Sequence, residues 1–206
     1  IRDVAVTGVQ TCALPISTAA LAQAASSPAF QKQFPAAAAV YLAKARKGWS
    51  FLIEAISRYG RDGSFQKITH YGMSFLYEDE VAWAATEIFL ATGDESAHQE
   101  LLRNFDPADP AVLKWGWLRL LEGYGAAIRS YAFAARSGRL PLRRLDRFHL
   151  QKCEEQIWLA GRDTTNWADA NAYNMSFPID SKKYMKAGWH FPVSRSFDIA
   201  VAQRLA

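Results

Sequence analysis

Asp79 and Glu80 stand side by side in a run of aromatic and apolar residues, and carboxylates so placed could do one of two things. They could be hard oxygen ligands for a cation such as Ca²⁺, or charges that favour the start of a helix. Neighbouring side chains on a helix diverge by about 100°, so the pair cannot converge on one point as an i, i+4 pair does. Calcium takes about 6–8 oxygens, more than two residues supply. At a helix N-terminus the same charges contribute about 0.3–1 kcal/mol each. Other chemistries lack their residues. His70, His98, His149 and His190 show no H-x-x-x-H or H-E-x-x-H spacing, which argues against zinc. There is no G-x-S-x-G and no glycine loop of the kind that cradles phosphate.

The elements that position this pair read as helices. From Glu78 the residues Val81, Ala84, Ala85, Ile88 and Phe89 fall at helical spacing, and Gly93 stands where a C-terminal cap belongs. Pro35 suits the first position of a helix to about Tyr59, with Trp49, Leu52, Ile53 and Ile56 as its stripe and Gly60 as its stop. Ser17 to Phe34 reads as a loop or as part of a preceding helix. A short helix is expected around Ser96–Asn104, followed by the double Asp-Pro turn of FDPADP. A longer helical region from Trp115 to Phe133 is interrupted by Gly116, Gly123 and Gly125. Another helix is expected from Arg143 to Ala160, capped by Gly161, then an irregular stretch from Thr164 to Pro192 and a last apolar-periodic one from Ser196. Nothing alternates like a strand, so the fold class is all-α.

At 206 residues and 50% hydrophobic content, the chain can bury one sizeable core. A net charge of +4 is scattered; Arg143, Arg144 and Arg147, its densest cluster, read as a solvated helix face rather than a nucleic-acid footprint. No apolar run approaches the roughly 18 residues of a membrane span. Seven Trp, eight Tyr and twelve Phe fit a core, and they also fit a carbohydrate site, since a flat ring matches the apolar face of a sugar.

Residues 1–16 stand apart. Val6 to Ile16 can be read back codon by codon as a common short-read sequencing adaptor, and Ile1 to Asp3 as the segment before its index. The stretch is therefore set aside as an assembly artefact. Cys12 goes with it, leaving Cys153 as a lone thiol expected to be buried. The domain is expected to span residues 17–206, truncated at both ends.

The run Asp79, Glu80, Val81, Trp83, Ala84, Ala85, then Ala91, Thr92, Gly93 and Asp94 resembles a barrel helix of glycoside hydrolase family 9, the inverting cellulases. That family's pattern reads roughly D-E-L-x-W-A-A-x-x-L-Y-x-A-T-G-D. The resemblance implies about half of an (α/α)6 barrel, a β-glucan substrate, a secreted or periplasmic location, no cofactor for catalysis and no nucleic-acid or membrane partner. It implies a structural calcium at Asp79 and Glu80. The calcium set lacks one expected member: where a W-D-D-K-x-Y-G motif often supplies an aspartate, this chain has Leu120 in the run from Arg119 to Gly125. Tyr71 and Trp115 match aromatic positions of the sugar cleft, and Phe191, four residues before Arg195, matches a W-G-S-x-R platform with Phe in place of Trp. The family's D-A-G-D base motif and its C-terminal acid motif do not occur in residues 17–206, and Asp163, Asp169 and Asp180 match nothing in the pattern. The expectation is a piece that supplies cleft wall without the catalytic base and acid. The alternatives are an α-solenoid scaffold, against which no repeat of 30–45 residues is visible, and an (α/α)6 enzyme for another polysaccharide.

Overall fold

The structure, a computed structural model, describes residues 8–60, 78–110, 120–121, 123–170, 172, 174 and 190–206, with side chains omitted for 8–13 and 190–195. The chain divides into two compact units. One comprises Ile1–Phe105 with Ala134–Arg144, the other Asp106–Phe133 with Leu145–Ala206. The described residues form helices and turns without a strand, as the sequence predicts.

The first unit contains α1 (Gly8–Ser26), α2 (Pro28–Gln33), α3 (Pro35–Tyr59), α4 (Glu78–Thr92) and α5 (Glu95–Asn104). Helix α4 is its centre. Every residue from Val81 to Leu90 except Trp83 is buried, which requires neighbours on all sides. Helix α1 packs on both α3 and α4, and α5 folds back on α4. The α1 contact is made by a stripe of small residues, Thr18, Ala19, Ala22, Ala25 and Ser26, at helical spacing. At Gly48 of α3 a Cβ would run into the Thr18 hydroxyl, so a side chain there would push α1 away.

The boundaries of α3 and α4 follow the predicted signals. Pro35 occupies the first turn of α3, where its missing N–H costs nothing. Gly93 ends α4 with φ +69°, a backbone that L side chains rarely adopt, and its N–H donates to Phe89 O at 2.7 Å. Asp94 then caps α5 by accepting from Ser96 N at 2.9 Å and from the Ser96 hydroxyl at 2.7 Å. That hydroxyl holds the Asp94 carboxyl below the usual carboxylate range.

The second unit contains α6 (Gly125–Ala132), α7 (Arg147–Asp169) and α8 (His190–Leu205), with α7 packed against both others. Here the boundaries depart from the sequence expectation. Helix α7 starts at Asp146, whose carboxylate accepts from His149 N at 2.8 Å, so Leu142–Arg144 form a separate 3₁₀ turn. It then runs through Gly161 to Asp169. Gly161 is no cap: a Cβ there would stand 2.5 Å from the Cβ of Ala202, so the glycine is the place where α7 and α8 touch. Residues 164–169 are helical instead of irregular, and the last helix begins at His190. At the other end, Ser17 belongs to a helix that reaches back to Gly8 and carries Pro15 inside it. Cys153 is fully buried as expected, and burial pushes its thiol far up.

Candidate functional site

Asp79 and Glu80 occupy the first turn of α4, the place the sequence predicts, but their electrostatics differ from a simple helix-start charge pair. Both are half-buried. Burial raises the Asp79 carboxyl above its usual value, with the Glu80 backbone N–H pulling it partly back. Burial also pushes Glu80 up to about 8, and the neighbouring Asp79 carboxylate adds to this. Desolvation outweighs the helix N-terminus here, so at neutral pH Glu80 is mostly protonated. Its Oε2 is buried and has no hydrogen-bond partner among the described residues.

The pH consequence has a definite sign. The folded chain holds the Glu80 proton more tightly than the unfolded chain, whose carboxyl titrates near 4.5. The associated stability is present below that value and is lost as pH rises through about 8. Glu80→Gln keeps the shape and removes the titration. Its melting temperature should therefore fall less than that of the parent chain between about pH 5 and about pH 9. Parallel curves for the two proteins would mean that Glu80 is solvated.

Deeper along α4, at Glu87, lies an arrangement the sequence reading missed. Glu87 is fully buried. Its Oε1 accepts from Trp83 Nε1 and from Gln23 Nε2 of α1, each at 3.0 Å, and its Oε2 is paired with Arg139. Arg139 Nε in turn donates to the Ser26 hydroxyl at 2.9 Å. One carboxylate thus ties together α1, α4 and the segment 134–144. The signal available in the sequence was an acid in an otherwise apolar stretch of α4; its cation is 52 residues away.

In the second unit, Asp198 of α8 is buried and its Oδ1 accepts from Leu120 N at 3.2 Å. Leu120 is itself buried as part of the core. Tyr131 is fully buried, accepts from Asp146 N at 2.7 Å through its hydroxyl, and meets the His149 ring edge-on at 4.7 Å. Tyr71 and Trp115 lie outside the described residues, so the structure brings neither to the acid pair nor away from it. Phe191 falls in the first turn of α8, with its side chain outside the description. Asp163 and Asp169 lie on α7. In the first unit an open groove is lined by Trp49, Ser50, Glu54, Arg58, Asp94 and Ser96 among others. Trp49 shows only 6% of its surface, too little to serve as a stacking platform. Among the described residues no group of three or more His, Cys, Asp or Glu could hold a metal ion, and no helix is long and apolar enough to cross a membrane.

The family model described as glycosyl hydrolase family 9 matches residues 7–190. The chain belongs to glycosyl hydrolase family 9. No curated protein matches it, and no solved structure does. Membership makes a carbohydrate the substrate in general terms and a glycoside hydrolase the enzyme class. The helical chain is what part of the family's (α/α)6 barrel consists of. The match begins at residue 7, inside the first sixteen residues. It takes in α4 and, with it, the acid pair and the Trp83–Glu87 contact.

Proposed function

We propose that this chain is an interior part of an inverting β-1,4-glucan hydrolase and that it supplies cleft wall and barrel helices. The observation that carries this reading is the family match over residues 7–190. Inversion needs a general acid and a general base about 6.5–9.5 Å apart, with a water between base and sugar. The motifs that provide them in this family are absent from residues 17–206, so the base and acid come from other parts of the domain. The work left to this chain is binding and orientation: Tyr71, Trp115 and Phe191 are the rings proposed to stack on the glucan, in a protein that acts outside the cell. With the family shown, the helical-scaffold reading has no observation in its favour.

Asp79 and Glu80 are proposed to hold a structural calcium. The buried Oε2 of Glu80, without a hydrogen-bond partner among the described residues, is the kind of atom a cation would satisfy once it displaces the proton that burial keeps on this carboxyl. The pair is short of the about 6–8 oxygens the ion takes, so it would be only part of the ligand set. Calcium added to the parent chain should raise its melting temperature and leave Glu80→Gln unmoved; equal responses would remove the ion from this site.

The test of function is to re-amplify the locus with residues 1–16 treated as adaptor, then assay the extended product on carboxymethyl-cellulose. An extended frame carrying both catalytic motifs and releasing reducing ends with inverted anomeric configuration is the expected result. In that product Tyr71→Ala and Trp115→Ala should each lower kcat/KM by about 10- to 100-fold, the equivalent of the roughly 1.5–3 kcal/mol an aromatic contact supplies. Parental kcat/KM in either variant would take that ring out of the cleft.

A further inference from the structure

Helix α7 ends at Asp169 with Ala170 as its cap, and past that cap stands Asn174, exposed. Its φ is +50°, and among the described residues it is the one non-glycine with a left-handed backbone. Asparagine tolerates that conformation better than most L residues, and a single residue in it breaks a helical run rather than extending it. Met175 and Ser176 follow in sequence. Asn174 is thus the first residue of N-x-S with x other than proline, the acceptor pattern for an N-linked glycan. The chain's other asparagines are Asn104, Asn166 and Asn171. Two positions after them come Asp106, Ala168 and Tyr173, so none of them fits the pattern.

So short a pattern arises easily by chance, and what separates a usable acceptor from an unusable one is access. A transferase must take the asparagine backbone into its own site along with the carboxamide. A residue inside a helix can offer that only by breaking the hydrogen bonds of its turn. Asn104 and Asn166 lie in α5 and α7, and the Asn104 carboxamide already donates to Glu100 O at 2.8 Å. Asn174 stands outside any helix, with its surface open to solvent. The reaction is a glycosyl transfer from an oligosaccharide carried on a lipid diphosphate. Asn174 Nδ2 forms a bond to the anomeric carbon, and the C–O bond from that carbon to the diphosphate breaks. The lipid diphosphate leaves with the electron pair, and the amide proton passes to the transferase.

We propose that Asn174 is an N-glycan acceptor, modified on the folded surface just past α7. This rests on the extracellular reading above, since the lipid-linked donor is met on the way out of the cell. It concerns a sugar bonded to the chain, not the glucan the domain acts on. The test incubates the folded 206-residue chain with a purified single-subunit oligosaccharyltransferase and a lipid-linked oligosaccharide, then reads the intact mass. The expected result is a gain of one oligosaccharide, which peptide N-glycosidase removes while leaving an aspartate at the acceptor position. Ser176→Ala and Asn174→Gly should each lose that gain completely. Glycine suits φ +50°, so the second variant keeps the turn while removing the acceptor. Ser176→Thr should retain the gain, because it keeps the hydroxyl of the pattern. A parent chain that takes up no oligosaccharide, or takes it up only after denaturation, would overturn the site. So would a gain that survives in Asn174→Gly. An extended product that hydrolyses no glucan yet gains the oligosaccharide at Asn174 would remove the hydrolase reading alone. One that hydrolyses glucan and stays unmodified would remove the acceptor site alone.

Discussion

Arg139→Met is expected to destabilise the chain by about 3–5 kcal/mol, read as a lower denaturant midpoint at unchanged slope. The guanidinium lies almost fully inside, with 8% of its side-chain surface exposed, against a Glu87 carboxylate with none. Removing the cation leaves that charge in a low-dielectric interior, with the Trp83 and Gln23 donors on its other oxygen. The Ser26 hydroxyl loses the Arg139 contact in the same step. The cost should fall mainly on leaving the carboxylate uncompensated rather than on losing an attraction, because a buried pair has already given up its hydration. The double variant Arg139→Met with Glu87→Leu separates the two. It should recover most of the loss, since apolar replacements of similar volume are often neutral or better. A double variant as unstable as Arg139→Met alone would show that packing around Arg139, and not charge, sets the cost.

Gly161→Val should be destabilising by about 3 kcal/mol, the upper end of what overpacking a close contact costs. Intrinsic preference points the other way, because glycine inside a helix is worse than alanine by about 1 kcal/mol. What outweighs it is the approach of α8. A Cβ at position 161 would stand 2.5 Å from Ala202 Cβ, a methyl fixed directly to the α8 backbone that cannot swing aside. Gly161→Ala should therefore also lose stability despite its better propensity. Pairing it with Ala202→Gly should return part of the loss by reopening the same space. A higher midpoint for Gly161→Ala than for the parent would mean that α7 and α8 yield freely at this crossing.

These two positions show where reading the chain reached its limit. A glycine after an apolar stretch gives the same sequence signal whether it ends a helix or lets another helix approach. At Gly93 it ends α4, with a left-handed φ; at Gly161 it sits mid-helix under α8, a neighbour 41 positions on at Ala202. Helix α1 was hard to read for a related reason. Its buried stripe is Thr, Ala and Ser, which differ little in hydrophobicity from the exposed residues around them, so the periodicity of a close-packed contact carries little contrast. Helix α3 was easy because Pro35, an apolar stripe and Gly60 all agree.

The sequence by itself determined the all-α class, the places of α3, α4 and α5, the burial of Cys153, and, through the run from Asp79 to Asp94, the family. Each of these rests on residues close together in the chain, where helical spacing, caps and motif order are set by local geometry. Only the tertiary structure decided that Glu87 has Arg139 for its cation and that Gly161 is a contact. It also decided that the acid pair at the start of α4 is desolvated enough to keep Glu80 protonated at neutral pH. Those properties depend on how much water and which distant group surround a side chain, and burial of that kind exists only once helices far apart in sequence have packed together.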